Sequence, residues 1–252
     1  MGFDVSATAY DSFMGRYSTL LAPELCDLVG VQRGWTVVDV GAGSGALTAE
    51  LVERLGTDAV VAVDPSVPFV GALRERFPDV AVHEAAAEAL PLADAAHDAA
   101  LAQLVVQFMR DPAAGVAEMR RVTKPGGVVA VSVWDHGTGR GPLSPFWAVA
   151  LQLDAAARSE STLTGTNEGE LAALLRDAGL RDVEETTLEV EVEHPSFEEW
   201  WEPYELGVGP AGAYVVGLDP ERRETLRESC REALPPAPFR IAARAWTAVG
   251  AV

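Results

Sequence analysis

Positive charge is scarce in this sequence. Its 252 residues carry 19 Lys and Arg against 38 Asp and Glu, which gives a formal net charge of −19 at pH 7. A field of that sign repels nucleic acid phosphates and anionic lipid headgroups. The composition therefore disfavours nucleic acid and membrane partners and favours a small molecule.

Cysteine and long apolar runs are also scarce. Cys26 and Cys230 stand far apart, with no Cys-x-x-Cys pair and no histidine spacing of a metal site, so we expect reduced thiols and no metal. No window approaches the roughly 18 apolar residues of a membrane span, and the first residues show no signal-peptide pattern. These features favour a cytoplasmic protein.

Short β-branched runs alternate with stretches of helical period in the first half of the chain. Such alternation is typical of an α/β protein with a parallel sheet and helices on both faces. The predicted strands are 36–40, 59–64, 80–85, 98–103 and 127–134, and the predicted helices are 46–55, 67–76 and 111–122.

Two further strands are predicted in the second half, at 182–194 and 239–249, where apolar and polar residues alternate. Alternation indicates one solvated face, so 182–194 should lie near an edge or pair antiparallel. The connection between these strands is too long for a hairpin. It contains two helix starts, a capping box of Ser196 with Glu199 and the pair Asp219 and Pro220. The second half therefore predicts a helical segment inserted before the last strand.

The stretch TVVDVGAGSGALT, residues 36–48, ends the first predicted strand and begins the first predicted helix. Gly41, Gly43 and Gly45 permit a sharp turn against which a ligand can lie, at the strand end where ligands bind in open parallel sheets. Asp64 ends the second strand about 20 residues later, where an acidic residue would hold ribose hydroxyls. The pattern also fits a dinucleotide fingerprint, so an NAD(P)-dependent oxidoreductase is one alternative.

Asp39 separates these alternatives. A carboxylate just before the turn repels a pyrophosphate and attracts a cation. S-adenosylmethionine carries a sulfonium and an ammonium, and its ribose would still use Asp64. The other interpretation of Asp39 is a carboxylate satisfied by backbone amides of the turn, and the two can coexist.

Four segments occur in the order and spacing of a known family. VVDVGAGSGALT, VVAVDPS, AAAEALPLAD and RVTKPGGVVAVSVWD resemble the motifs of class I S-adenosylmethionine-dependent methyltransferases, of the small-molecule branch similar to ubiquinone and menaquinone biosynthesis methyltransferases. The resemblance implies a Rossmann-like seven-stranded sheet, mostly parallel with the last strand antiparallel. It also implies S-adenosylmethionine as the cofactor and methyl transfer to a small molecule.

The resemblance assigns cofactor contacts to the glycine turn, to the ends of the next strands and to the N-terminal segment. Ala86 stands where the family usually has an acidic residue, so adenine recognition should depend on backbone groups of Ala87 and Glu88. Gln107 replaces a histidine of many relatives. The assigned residues are Tyr10, Arg16, Tyr17, Asp39, Gly41, Ala42, Gly43, Asp64, Pro65, Ala86, Ala87, Glu88, Gln103 and Gln107.

Tyr10, Arg16 and Tyr17 lie in the N-terminal segment AYDSFMGRYS. The two tyrosines could cover the cofactor and Arg16 could pair with its carboxylate. The alternative is an amphipathic cap helix with an exposed arginine. We expect one domain over 1–252, with residues 1–30 as a helical cap and residues 196–236 as a helical insertion over the active site.

The acceptor side is predicted from histidine and the aromatic residues. His136, just past the fifth strand, is the histidine that the topology places near substrate, and it is the candidate base. The alternative is that His136 is a solvent-exposed residue of a loop. Aromatic side chains after strands five and six could wall an apolar pocket or could form the core of the cap. They are Trp134, Phe146, Trp200, Trp201 and Tyr204. A catalytically silent S-adenosylmethionine-binding protein is the other alternative function.

Overall fold

The computed structural model describes residues 11–252. Within that range the strands form one sheet in the order β3-β2-β1-β4-β5-β7-β6. In chain order, β1 to β7 are Val37–Val40, Val60–Asp64, Ala81–Glu84, His97–Gln103, Thr123–Trp134, Arg181–His194 and Phe239–Ala251. The first five strands pair in parallel, whereas β7 is antiparallel to both β5 and β6. The predicted mostly parallel sheet with an antiparallel last strand is confirmed.

Helices connect the strands and fill the insertion. In chain order, α1 to α9 are Arg16–Val29, Ala46–Leu55, Val67–Arg76, Pro112–Val122, Ser144–Leu153, Glu170–Asp177, Phe197–Trp201, Gly209–Gly217 and Pro220–Ala233. The predicted helices 46–55 and 67–76 match α2 and α3 at both ends. The helix predicted at 111–122 is α4, which begins one residue later than predicted, at Pro112. Asp111 is its N-cap, and the Asp111 side chain accepts a hydrogen bond of 3.0 Å from the Ala114 amide.

Burial explains the different composition of the central and edge strands. β1 is buried along its whole length, as expected for a strand with neighbours on both sides and helices on both faces. β6 forms the edge of the sheet beside β7, and its burial alternates toward its end. The alternation in 182–194 therefore indicated an edge strand correctly.

Strand order reverses beside β1. The chain runs outward from β1 through β2 to β3, and then returns to place β4 on the other side of β1. Crevices at such a switch point, beyond the carboxyl ends of the strands, are where open α/β sheets bind ligands. The glycine turn after β1 lies at this end.

The insertion packs on the N-terminal helix and on the sheet. Ser196 caps α7 by accepting a hydrogen bond of 3.1 Å from the Glu199 amide, and Asp219 caps α9 in the same way from Arg222. The apolar side chains of this region share one core cluster with Phe13 and Tyr17. The Glu199 carboxylate bonds Arg16 and His194, so only half of the predicted capping box forms.

Among residues 11–252, no helix has both the length and the apolar character needed to cross a membrane. Across the same residues, no group of three or more His, Cys, Asp or Glu side chains is placed to hold a metal ion. Cys26 and Cys230 are buried free thiols.

Candidate active site

The glycine turn is held against the sheet by its backbone. Gly41 and Ala42 donate hydrogen bonds of 2.8 and 3.1 Å to the Val63 carbonyl oxygen. Gly41 has φ +72°, and a Cβ at that position would lie 2.3 Å from Cγ2 of Val105. Only glycine fits there, because the left-handed conformation and the close approach of Val105 both exclude a side chain.

Asp64 braces the same turn. Its two carboxylate oxygens accept hydrogen bonds of 2.8 Å each, one from the Gly43 amide and one from the Ser66 amide. Burial raises the pKa of this carboxyl group above its ordinary value. Asp64 therefore shapes the glycine turn as well as facing the cleft, a role that its position in the sequence did not reveal.

Asp39 is almost fully buried at the base of the cleft, with 1% of its surface exposed. The Thr48 hydroxyl donates a hydrogen bond of 2.6 Å to its Oδ2 atom. Burial raises the pKa of Asp39 to about 7. Thr48, in the first turn of α2, thus partners this carboxylate through its hydroxyl and also through its backbone amide. The alternative in which backbone amides satisfy Asp39 therefore stays open, with the amide coming from α2.

A cleft of about 540 Å³ opens over the turn. Six residues predicted as cofactor contacts line it: Asp39, Gly41, Ala42, Gly43, Asp64 and Gln103. Residues that the sequence did not indicate, including Ser18, Phe69, Leu104, Val105 and Phe108, complete the described walls. The cleft lies beyond the carboxyl ends of the strands, where open parallel sheets bind ligands.

The chemistry of the lining suits a cationic ligand with ribose hydroxyls. Two carboxylates and no Arg or Lys are among the described residues that line the cleft. Gln103 donates a hydrogen bond of 3.0 Å to the Ser18 carbonyl oxygen, and its own Oε1 is buried without a hydrogen-bond partner. An unpartnered buried oxygen is costly, so a ligand that brings N–H donors would be stabilised there. S-adenosylmethionine fits these residues.

The predicted adenine contacts are not brought into this cleft. Pro65 and Ala86 are exposed, and Ala87 packs in the core near Gly115. The Glu88 carboxylate accepts hydrogen bonds from the Arg110 and Asp111 amides, at 2.8 and 3.1 Å. None of the four is among the residues that line the cleft. Pro65 directly follows β2, and the turn after β3 directs the other three outward or toward α4.

Arg16 and Tyr17 also differ from their prediction. Arg16 pairs with Glu199 and bonds Nδ1 of His194, and the Tyr17 hydroxyl lies 3.1 Å from Nε2 of His194. Successive helical residues point about 100° apart, so α1 presents Ser18 to the cleft and turns these two side chains toward the insertion. Tyr10 lies outside the described residues.

A second cavity of about 430 Å³ lies beside the cleft. Leu104 and Phe108 line both spaces. Leu104 has φ +64° and donates a backbone hydrogen bond of 2.8 Å to Ser132. A leucine in the left-handed region is uncommon and often marks a functional site.

The polar residues of this second cavity include His136, Gln107 and Glu160, and Trp134 forms part of its apolar wall. Gln107, predicted as a cofactor contact, lies here and not in the cleft, and its Oε1 is buried without a partner. Burial lowers the pKa of His136 to about 4. His136 is therefore neutral at pH 7 and faces a cavity, which disagrees with an exposed loop histidine.

Glu160 was not predicted. It is 3% exposed, its Oε2 has no hydrogen-bond partner, and burial raises its pKa to about 7. Its surroundings in the sequence, RSEST, are those of a solvent-exposed loop. No local signal could have found it, since its burial depends on segments distant in the chain.

The other predicted acceptor residues pack mainly against one another. Phe146 stacks on Tyr204 with ring centroids 4.5 Å apart, and Trp200 lies 5.0 Å from Tyr204. The Trp201 indole donates to Glu205 at 3.0 Å. None of these four lines the cavity of Trp134 and His136. Phe146 and Trp201 are buried among neighbouring rings, whereas Trp200 and Tyr204 also line a smaller cavity beside Arg16, Tyr17 and His194. Their role as acceptor contacts stays a prediction.

Comparison with known proteins agrees with this geometry. Residues 38–131 match the model of a family described as "Methyltransferase domain". The demethylmenaquinone methyltransferase of Renibacterium salmoninarum is 38% identical over 112 residues, 44% of this chain and 46% of that protein. The malonyl-[acyl-carrier protein] O-methyltransferase of a Marinomonas species is 30% identical over 141 residues, 54% of this chain and 51% of that protein.

The chain thus spans about half the length of the curated relatives it matches. A solved S-adenosylmethionine-dependent methyltransferase from Aquifex aeolicus superposes with a TM-score of 0.54 at 24% identity, covering 69% of this chain and 86% of that chain. That likeness shows the fold alone.

Fold and site together define a Rossmann-like protein with a cofactor cleft at its switch point. More particularly, residues 38–131 match the methyltransferase-domain model, and the chain resembles the class I S-adenosylmethionine-dependent methyltransferases, whose cofactor is S-adenosylmethionine. The resemblance seen in the sequence motifs is confirmed.

Proposed function

We propose that this protein transfers a methyl group from S-adenosylmethionine to a small apolar or aromatic molecule. The proposal rests mainly on the lining of the cleft. Two buried carboxylates, Asp39 and Asp64, line it, and no Arg or Lys is among the described residues that do. Such a lining opposes the pyrophosphate of a nicotinamide cofactor and suits a cation. The cofactor would supply an electrophilic methyl group.

The Asp39 carboxylate and the side-chain oxygen Oε1 of Gln103 would hold the ammonium end of the cofactor. The Asp64 carboxylate would hold the ribose. The second cavity would receive the acceptor, because it shares Leu104 and Phe108 with the cleft. Its volume of about 430 Å³ suits a small molecule. The names of the relatives point to two different acceptors, so they support methyl transfer without fixing the substrate.

The protein residues would mainly position the acceptor and exclude water. Alignment of two substrates can lower a barrier by roughly 7–11 kcal/mol, so a base is optional. With its pKa near 4, His136 would hold an abstracted proton poorly at neutral pH. We infer that His136 accepts a hydrogen bond from the acceptor and does not act as its base.

The same proposal includes the two segments of the chain that would lie over the site. Residues 1–30 and 196–236 would cover it within a single domain, 1–252. The two buried free thiols support a reducing compartment such as the cytoplasm.

Calorimetric titration of the protein with S-adenosylmethionine, S-adenosylhomocysteine and NAD tests the proposal. Micromolar binding of the first two without NAD binding is the expected result. NAD binding alone would replace the proposal with an oxidoreductase. Binding of S-adenosylmethionine without a methyl mass gain on any acceptor of a screened set would favour a catalytically silent binding protein.

A further inference from the structure

The acceptor cavity contains buried oxygen atoms that the protein itself leaves unpaired. Glu160 Oε2 and Gln107 Oε1 are both buried, and neither has a hydrogen-bond partner. Both residues line the same cavity, and Glu160 is 3% exposed. Unmade hydrogen bonds at buried acceptors are expensive, and more so at a carboxylate, although the Trp147 side chain and a backbone amide offset part of this cost at Glu160. A ligand that stabilises this cavity must therefore bring hydrogen-bond donors.

The described lining of the cavity supplies no positive charge beside the Glu160 carboxylate. Neither Arg nor Lys is among the described residues lining the cavity, and the chain carries a formal charge of −19. A carboxylate or phosphate on the acceptor would meet repulsion here, whereas a cation would meet attraction. The Trp134 indole lines the same space, and aromatic rings attract cations as well.

The number of acceptors favours an ammonium over a hydroxyl group. An ammonium brings three N–H donors, whereas a hydroxyl brings one. Besides Glu160 and Gln107, a neutral His136 keeps one ring nitrogen free of a proton. One ammonium therefore brings more hydrogen-bond donors to these groups than one hydroxyl does.

We propose that the methyl acceptor carries a protonated amine on a compact apolar body, and that Glu160 binds this amine as its counter-ion. The proposal rests on the proposed function, since it names the class of acceptor for the same site. Gln107 would accept a second hydrogen bond from the amine, and His136 a third.

Three probes of one skeleton test the assignment: phenethylamine, phenethyl alcohol and phenylacetate. Each is titrated into the full-length protein at pH 8, with calorimetry and tryptophan fluorescence as readouts. We expect the amine to bind at least about tenfold more tightly than the alcohol, as a charged hydrogen bond implies, and phenylacetate to bind most weakly. Equal affinities for amine and alcohol would overturn the proposal.

Glu160→Gln removes the charge with little change of shape, and it should abolish the preference for the amine. Glu168→Gln is the matched control, since Glu168 is an exposed carboxylate in the same loop region; it should leave all three affinities unchanged. An amine affinity unaffected by Glu160→Gln in a folded protein would contradict the role of Glu160.

If Glu160→Gln does not fold, the wild-type protein supplies the test. Burial raises the pKa of Glu160 to about 7, so amine affinity should fall about tenfold or more between pH 8 and pH 5 as the carboxylate gains a proton. The titratable groups near it stay unchanged in this window, since the pKa of His136 is about 4 and that of Tyr204 is raised well above its ordinary value. A flat pH profile would overturn the proposal.

S-adenosylhomocysteine is titrated in parallel to separate the two proposals. Its failure to bind would remove the proposed function, whatever the amine does. Its binding together with an absent amine preference would remove only the present inference.

Discussion

At the scale of single residues, Asp39 shows how a binding site is maintained at a cost to stability. The carboxyl group is buried and accepts hydrogen bonds from Thr48, and burial raises its pKa to about 7 from an ordinary 3.8. Between these values the folded protein holds a proton that the unfolded chain has released. The free energy of unfolding therefore falls as pH rises from about 4 to about 7.

Asp39→Asn should remove that penalty. At pH 8 the variant should be more stable than the wild type by at most roughly 4 kcal/mol, at about 1.36 kcal/mol per pKa unit, and near pH 4 the two should be equal. The same variant should bind S-adenosylmethionine about tenfold more weakly, because an attractive charge is lost. Urea unfolding at both pH values and calorimetry measure the two effects.

Asp58→Asn is the control, since it removes the same charge from an exposed position. It should change stability by less than about 0.5 kcal/mol. If Asp39→Asn left cofactor affinity unchanged, the electrostatic argument for the cleft would fail.

Asp39 and Glu160 also mark what a sequence can reveal at this scale. Asp39 was predictable because a carboxylate inside the apolar run VVDV is conspicuous. Glu160 was not, because a glutamate among serines in a loop is ordinary until the fold buries it. Burial of a loop residue is a tertiary property that periodicity does not encode.

At the scale of elements, the glycine turn joins β1 to α2 and depends on Val105 from the loop after β4. A Cβ on Gly41 would meet three atoms of Val105 at 2.3 to 2.9 Å, whereas a Cβ on Gly43 would meet nothing within 4 Å. Both glycines have positive φ, at +72° and +55°. An alanine at Gly43 should therefore cause backbone strain alone, whereas an alanine at Gly41 should cause both backbone strain and a steric conflict with Val105.

Gly43→Ala should cost about 1 kcal/mol of stability, the strain of a left-handed alanine. Gly41→Ala should cost about 2–4 kcal/mol, because overpacking adds to the strain. It should also weaken S-adenosylhomocysteine binding more than Gly43→Ala does, since it displaces a wall of the cleft. Equal effects of the two variants on stability would show that Val105 yields without cost.

The insertion supplies the next test. Trp201 is 1% exposed and packs on Phe146, Phe197 and Tyr204. Trp201→Ala should lower the free energy of unfolding by about 3–5 kcal/mol. In the fraction that stays folded, S-adenosylhomocysteine affinity should be unchanged, because Trp201 does not line the cleft.

Denaturant unfolding and calorimetry check both expectations. Exposed Val216, on α8 of the same insertion, offers a control in Val216→Ala, which should cost less than about 1 kcal/mol. A loss of phenethylamine binding by Trp201→Ala without loss of stability would support the assignment of Trp201 to the acceptor pocket.

Elements were predicted better than their contacts. The limits of α2 and α3 follow from local periodicity and turn residues, so the sequence contains them. The direction of the Arg16 side chain depends instead on its contacts with His194, 178 residues away in the sequence, and with Glu199. A family resemblance carries over motifs, but it does not carry over such long-range pairings between an N-terminal helix and a distant insertion.

At the scale of the whole molecule, the two proposed sites are built by different parts of the chain. The cofactor cleft draws most of its described lining from residues 39–69 and 103–108, whereas much of the acceptor cavity comes from residues 134–160 and 208–210. The shared residues Leu104 and Phe108 form the boundary between the two sites. The negative charge of the whole chain adds a long-range field that favours cationic ligands at both.

Amide hydrogen exchange should resolve this division. S-adenosylhomocysteine should slow exchange in peptides covering 41–48, 64–70 and 103–108, because ligand contact suppresses local opening, and should leave peptides from 211–233 unchanged. Phenethylamine should instead slow exchange in 134–143 and 208–210. Both ligands should act on 103–108, since that loop borders both spaces. Uniform slowing across the chain by either ligand would show global stabilisation and would contradict two separate sites that meet at Leu104.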